Sequence, residues 1–298
     1  MATTSTTTTT PTPSPYGAWD DDLLPPNRIR DDLRGARVVW HRELITFFRN
    51  RLRILIALVQ PILFLFVLGT GLASLTSASS GDVSYQTFMF PGVLALAVLM
   101  PSFFSAGSIV FDREFGFLRE MLVAPMRRGT IVVGKCIGGA TVAGVQGVLV
   151  LALAGVVDVP YDPVLMLTLL LELLLLSFVL VAFGVMMAAR ITQFQSFMAV
   201  VQLAIFPMLF LSGAMFPLNG LPRWLEVLTR LDPVTYAVEP MRHAVFQHLD
   251  ASPATRATLD PGITWVGWLV PTWLSLVIVA VTGITMLWIA ILEFQRMD

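Results

Sequence analysis

One stretch of the sequence matches the spacing of a phosphate-binding loop. Gly129 is followed by four residues and then by Gly134 and Lys135, the pattern that cradles nucleotide phosphates. The next position supplies a Ser or Thr hydroxyl to magnesium in that motif, but here it is Cys136. The intervening Ile and Val residues open a long apolar run rather than a glycine-rich loop. We therefore interpret the match as coincidence, with Lys135 as an anchor at a membrane interface, and expect this chain to bind no ATP itself.

Few other residues could hold a metal or act as nucleophiles. The chain has three histidines, and His243 and His248 are five positions apart, which does not align them on one helical face. A single cysteine excludes a disulfide framework and a thiolate zinc site. No Ser, His and Asp set recurs at a common membrane depth. We expect no metal site and no catalytic residues.

Glu172 is the unusual ionisable residue, because leucines flank it on both sides. A charge deep in an apolar run costs several kcal/mol by the higher estimates, and such residues usually face a cavity or a partner. Two interpretations stay open. Glu172 is either a polar residue of a transport pathway, which would suit a cationic substrate, or a protonated or hydrogen-bonded structural carboxyl. Gln146 and Gln202 are its candidate partners.

The composition indicates the medium in which these residues act. The 298 residues are 56% hydrophobic and 13% charged, with a mean hydropathy of +0.77. A soluble domain carries about 25% charged residues, so this chain lacks the polar surface of a soluble enzyme. The net charge of −1 provides no basic field for nucleic acid. A polytopic membrane protein remains.

Six apolar runs approach the ~20 residues that a helix needs to cross hydrocarbon. They cover about 52–75, 88–111, 131–157, 164–189, 197–216 and 263–292. Backbone polar groups find no water inside lipid, so these runs must be helices. The predicted fold class is therefore an all-α polytopic membrane protein with six transmembrane helices.

The distribution of Lys and Arg predicts the orientation. Fifteen of the nineteen fall in segments that share one side if the N-terminus is inside, and four fall on the other side. This bias predicts that both termini are cytoplasmic and that the chain lies in the cytoplasmic membrane.

Two domains follow from the pattern before the first run. Residues 1–27 are rich in Thr and Pro and predict a disordered cytosolic tail, and 28–298 form the membrane domain. Residues 28–51 are basic with interleaved apolar positions. This pattern predicts an interfacial elbow helix that contacts membrane lipid, and that could also contact a cytosolic partner.

The loop between the second and third runs has an amphipathic pattern. Phe111, Phe115, Leu118 and Leu122 fall on one helical face, and a charged face lies beside them. Pro125 disfavours continuation. This pattern predicts a short cytosolic helix that could dock on a soluble partner and transmit a push. A charged loop that merely separates two spans is the alternative.

The segment between the fifth and sixth runs is long and interrupted by Pro217, Pro222 and Pro233. Broken amphipathic pieces of this kind predict short re-entrant helices at the outer interface, where protein covers them.

At these residues the chain resembles the permeases of type-2 ABC exporters, in particular the daunorubicin-resistance group. The resemblance covers roughly residue 42 to the C-terminus. Its cytosolic pieces are Asp112-Arg113-Glu114, Gly116, Leu118, Leu122, Pro125, Arg128 and Gly134-Lys135. Its later pieces are Ser212 to Leu218, Leu221 to Leu225, Asp232 to Tyr236 and Arg242, and Gln60-Pro61 fits in the first span. Met121 and Ala124 depart from the Leu and Thr frequent in the family.

The resemblance implies specific partners and roles. Two copies of a separate ATP-binding subunit would hold the ATP and Mg, and a second permease subunit would complete a homodimer or heterodimer. Coupling to the ATPase would use Asp112, Arg113, Glu114, Gly116, Leu118, Arg119, Leu122, Pro125 and Arg128. The outer re-entrant segment would include Pro217, Pro222, Trp224, Asp232, Pro233 and Arg242.

The expected function is therefore ATP-driven export of a hydrophobic or amphipathic compound, such as a drug-like natural product or a lipid. A glycolipid or polysaccharide permease is the nearest alternative. A proton-coupled secondary transporter would need an intramembrane proton relay, and a membrane-embedded enzyme would need a paired constellation around Glu172. Transport without an ATPase, or a catalytic effect of Glu172→Gln, would distinguish these two.

Overall fold

The computed structural model describes residues 28–71, 83–116, 127–218, 222–249, 251–265 and 268–296. The helices are α1 (Arg28–Arg49), α2 (Arg51–Leu63, continued by a π-helical turn over Phe64–Leu68), α3 (Tyr85–Glu114), α4 (Arg128–Leu151), α5 (Pro163–Arg190), α6 (Phe194–Leu211), α7 (Arg223–Leu231), α8 (Thr235–Gln247), α9 (Pro253–Leu259) and α10 (Thr272–Gln295). A 3₁₀ turn over Ala154–Val157 follows α4, and a hairpin of β1 (Thr264–Trp265) and β2 (Trp268–Leu269) precedes α10. The predicted tail, 1–27, lies outside the described residues.

Six described helices are long and apolar enough to cross a membrane, which confirms the predicted fold class. They are Ile54–Gly71 and helices α3, α4, α5, α6 and α10. Three predicted boundaries were wrong. The fifth span ends at Leu211 rather than near 216, because the chain turns at Gly213, which has a φ of +71°. The third span ends at Leu151, because the chain tightens into the 3₁₀ turn. The last span begins at Thr272 rather than near 263, because the apolar residues before it pair as strands.

The spans are unequally buried. Within α3, 83% of the apolar window is buried, whereas the figure is 17% for the first span and 22% for α6 and for α10. Helix α3 is central and packs against α4 and α5, and α10 packs along α5. The peripheral spans therefore present most of their apolar surface outward, as expected of helices that face lipid or another chain.

Helix α1 packs lengthwise against α4, where two glycines permit a close approach. A Cβ on Gly134 would lie 2.9 Å from the Cβ of Val39, and one on Gly138 would lie 3.0 Å from the Cβ of Glu43. The indole of Trp40 donates a hydrogen bond to the Thr141 hydroxyl over 3.1 Å. The helix predicted at 28–51 is thus present as α1, and one face of it belongs to the bundle; that it also lies in a membrane interface stays a prediction.

We name the two ends of the helical bundle, the basic end and the distal end, by the elements that lie there. The basic end contains α1, the C-termini of α3, α5 and α10, and the N-termini of α4 and α6. The distal end contains α7, α8, α9 and the hairpin. Helix α8 inserts between spans, since it packs against α3, α5 and α10. Short helices therefore occupy the segment in which re-entrant pieces were predicted.

Candidate functional site

A buried charge network joins three helices at the basic end. The ammonium of Lys135, 2% exposed, lies 2.8 Å from Asp112 Oδ2 and 3.1 Å from Glu43 Oε1, and it donates to the Ser108 hydroxyl over 2.7 Å. Arg42 adds a second cation, 3.3 Å from Asp112 Oδ1. Lys135 was predicted to be an interfacial anchor, but its charge is instead satisfied inside the protein. The network fixes α1 to α3 and α4.

The last turn of α3 also contacts the junction between α5 and α6. The guanidinium of Arg113 donates to the carbonyl oxygens of Ala189 and Ile191 over 3.3 Å. The Glu114 carboxylate accepts the backbone N–H of Phe194 over 2.9 Å, and so satisfies one of the unpaired donors at the start of α6. A displacement of this end of α3 would therefore disturb its contacts with α1, α4, α5 and α6 together.

The cytosolic helix predicted through Phe111 and Phe115 differs at its start in the structure. Asp112 to Glu114 form the last turn of α3, which ends at Glu114, and Gly116 adopts a φ of +82°. The left-handed backbone at Gly116 interrupts the helix that was predicted to continue from Phe111 and Phe115 into the loop. Leu118, Arg119, Leu122 and Pro125 lie outside the described residues. Arg128 begins α4, and its guanidinium donates to the carbonyl of Gln295 over 3.4 Å.

A large cavity lies between the membrane-spanning parts of α2, α3, α4 and α6. Its volume is about 710 Å³. Most of its lining is aliphatic or aromatic, and the described lining residues include no Asp, Glu, Lys, Arg or His. The polar lining consists of amides, namely Asn50, Gln60, Gln146 and Gln202. The cavity therefore suits an uncharged molecule with an apolar body.

Gln146 is a polar lining residue of this cavity that has hydrogen-bonding capacity left over. Its Nε2 donates to the carbonyl of Ile54 over 3.3 Å, and the side chain is fully buried. Its Oε1 has no hydrogen-bond partner among the described residues. A buried acceptor without a donor is costly, so Oε1 is positioned to accept a hydrogen bond from a bound molecule. In the sequence, Gln146 drew attention only as a partner of Glu172; the cavity was not predicted.

Glu172 does not line this cavity. It is buried on α5, and its carboxylate interacts electrostatically with Glu239 of α8. Its Oε2 has no hydrogen-bond partner among the described residues. The candidate partners Gln146 and Gln202 line the cavity instead. These positions favour the structural interpretation of Glu172 over a residue of the pathway.

The residues predicted for the outer segment gather at the distal end. Arg242 of α8 is buried, donates to the carbonyl of Gly213 and stacks over the Phe88 ring at 4.4 Å. Burial lowers the pKa of Arg242 to about 10, against the opposing charges of Asp260 and Glu239. The segment after α6 is thereby tied to α8.

Asp232 stabilises the turn that leads into α8. Its Oδ1 accepts the Val234 N–H over 3.1 Å, and Pro233 follows it in the turn. Burial raises the pKa of Asp232 to about 7, although the hydrogen bonds from Val234 and Thr235 lower it. Pro217 follows the end of α6, Pro222 precedes α7, and the side chain of Trp224 is exposed on α7.

The fold and the site define a multi-pass membrane protein: it has six apolar helices, a charge network at the basic end and a cavity whose polar lining is amides. Comparison with known proteins identifies its family. The sequence model of the ABC-2 type transporter family matches residues 35–246. The chain is 31% identical over 216 residues to nodulation protein J of Rhizobium leguminosarum bv. trifolii, covering 70% of this chain and 80% of that protein.

Two further relatives carry transport names. The chain is 28% identical over 210 residues to the transport permease ycf38 of Cyanophora paradoxa, covering 69% of this chain and 72% of the relative. It is 24% identical over 210 residues to the inner membrane transport permease YadH of Escherichia coli, covering 70% and 82%. The chain belongs to the ABC-2 type transporter family. It is thus a membrane permease subunit of an ABC transporter, which works with an ATP-binding partner.

Proposed function

We propose that this permease exports an uncharged hydrophobic or amphipathic compound across the cytoplasmic membrane. The observation that supports this proposal is the cavity of about 710 Å³, lined by apolar groups and amides among its described residues. A charged substrate would lose its hydration there without gaining a counter-ion. The unpartnered Oε1 of Gln146 would select a molecule that carries a hydroxyl or N–H donor.

The partners are proposed on the family relationship. Two copies of an ATP-binding subunit hold ATP and Mg, and a second permease subunit, identical or related, covers α2 and α6, the mostly exposed spans that flank the cavity. Both termini are cytoplasmic, so the basic end faces the ATPase. The sequence resemblance to permeases of the daunorubicin-resistance group agrees with a drug-like substrate. A neutral glycolipid is the second candidate, since amides hydrogen-bond sugar hydroxyls.

The test uses the permease co-purified with its ATP-binding subunit and reconstituted in vesicles. ATP-dependent movement is followed with two fluorescent probes of similar size, an uncharged glycolipid and a lipophilic cation. We expect transport of the neutral probe, and we expect Gln202→Leu and Gln146→Leu to weaken it. Gln195→Leu, the same change at an exposed position of α6, is the control. Preference for the cation, or transport without ATP, would overturn the proposal.

Coupling at the basic end is tested separately. We expect Gly116→Pro to lower the number of neutral probe molecules moved per ATP hydrolysed, because proline cannot adopt the positive φ of Gly116. The chain should still insert, since Gly116 lies outside the spans. Unchanged export and hydrolysis in this variant would contradict a coupling role for the segment that follows α3.

A further inference from the structure

Ionisable groups from several elements, most of them buried, meet where α8 inserts into the distal end; the His243 side chain is 41% exposed. Glu239, Arg242 and His243 come from α8, Glu172 comes from α5, and Asp260 follows α9. Glu172, Glu239 and Arg242 are 5%, 7% and 3% exposed. This cluster is separate from the cavity lined by amides, since none of its members lines that cavity.

The cluster contains more carboxyl groups than cations. Arg242 is one cation, and His243 is a second only when protonated. Gln247 Nε2 lies 2.9 Å from His243 Nε2, and His243 Nδ1 lies 2.8 Å from Asp260 Oδ2. The amide then donates to Nε2, which leaves the proton of a neutral imidazole on Nδ1. Even with His243 protonated, three carboxyl groups face two cations.

Hydrogen bonding within the cluster is also incomplete. Among the described residues, Glu172 Oε2, Glu239 Oε2 and Asp260 Oδ1 have no donor, although each atom is buried. The fully buried hydroxyl of Ser275 on α10 faces Glu239 but makes no well-formed hydrogen bond with a described residue. Carboxylates only accept hydrogen bonds, whereas a protonated carboxyl also donates one. A proton would supply both the missing positive charge and a missing donor.

We propose that Glu239, with Glu172 beside it, is a proton-binding site that holds one proton while α8 is packed between α5 and α10. Proton uptake converts one carboxylate of the pair into a carboxylic acid. Proton release leaves two neighbouring negative charges in a buried place, and their repulsion acts between α8 and α5. Occupancy of the site is thereby linked to the insertion of α8.

The surroundings of Glu239 on every packed element agree with this assignment. Glu239 interacts with Arg242 and His243 of its own helix, α8, and with Glu172 of α5. Helix α10 contributes the uncharged Ser275, and Tyr85 of α3 interacts with the neighbouring Arg242. Burial and then the charge of Asp260 raise the pKa of Glu239 to about 7, against the opposing effects of His243, Arg242 and Ser275. The proton would therefore exchange near neutral pH.

The test is infrared difference spectroscopy of the full-length permease in lipid vesicles, titrated from about pH 5 to about pH 9. The titration is run in an Asp232→Asn background, because Asp232 is another buried carboxyl with a pKa of about 7. We expect a carbonyl band of a protonated, buried carboxyl that disappears as the pH rises through about 7. Glu239→Gln and Glu172→Gln should each shift the midpoint of this band, and the two changes together should abolish it. Glu239→Asp combined with Glu172→Gln keeps a titrating carboxyl and should restore a band.

The control is Glu226→Gln on α7, which removes a partly exposed carboxylate paired with Arg230 and should leave the band in place. If Glu239→Gln does not fold, the titrations of the Asp232→Asn background and of Glu172→Gln in that background decide. A band absent over the whole pH range, or one unaffected by the changes at both positions, would overturn the assignment. The measurement requires no transport substrate, so its failure is distinct from failure of the proposed function.

Discussion

Replacing Lys135 by Met tests whether the network at the basic end is held by buried charge. The ammonium is 2% exposed and contacts Asp112 and Glu43, whose side chains are 7% and 12% exposed. Removal of one partner from a buried ion pair costs about 3–5 kcal/mol, because the remaining charge stays desolvated. Met preserves most of the side-chain volume, so this loss comes from charge rather than from a cavity.

The expected effect follows from that free energy. At about 2 °C per kcal/mol for a chain of this size, Lys135→Met should lower the melting temperature of the detergent-purified permease by about 6–10 °C. Adding Asp112→Asn to Lys135→Met removes one of the two carboxylates that lose the ammonium, the one that keeps only Arg42 as a cation among the described residues. The double variant should therefore be more stable than the sum of the single changes predicts, by about 0.5–3 kcal/mol.

An exposed ion pair at the same end provides the control. Arg190 is 76% exposed and pairs with Glu293 at the end of α10. Arg190→Gln should lower the melting temperature far less than Lys135→Met, because water screens that pair. The reasoning is refuted if Lys135→Met lowers the melting temperature no more than Arg190→Gln, or if Asp112→Asn fails to compensate.

Three further predictions concern stability, each measured as the melting temperature of the purified permease. Gly92→Ala should cost about 1–3 kcal/mol, because the new Cβ would lie 2.4 Å from the carbonyl oxygen of Ala214 and the backbone would have to move. Gly71→Ala is the control and should not show this loss, because a Cβ at Gly71 meets nothing within 4 Å. Glu114→Ala should cost about 0.5–2 kcal/mol, because the Phe194 N–H loses its acceptor. Asp232→Asn should flatten the fall in stability between about pH 4 and about pH 7.

The sign of the Asp232 effect follows from proton linkage. The folded pKa, about 7, lies above the ordinary value of 3.8, so between these values the folded chain holds a proton that the unfolded chain has released. Stability therefore falls as the pH rises through this window and levels off above about 7. Asp162→Asn, the same change at the exposed cap of α5, is the control. An equal pH dependence of wild type and Asp232→Asn would contradict this assignment.

Parts of the candidate site were predictable because their signal is local. The proline-broken pattern after α6 predicted short helices, and α7, α8 and α9 are short. Small residues four positions apart let helices approach closely, and Gly134 and Gly138 provide such a contact with α1. The boundary at Thr272 was missed because apolar strands and apolar helices have similar hydropathy over a few residues.

The sequence by itself determined the class of this protein. Hydropathy, helix length and the scarcity of charge are properties of consecutive residues, and lipid leaves the backbone no stable alternative to helices. The tertiary structure decided which polar groups meet. Lys135 pairs with Asp112, Glu172 faces Glu239, and Gln146 reaches a cavity rather than Glu172. Those partners lie on different helices, and their meeting depends on helix rotation and depth, which packing sets and periodicity does not record.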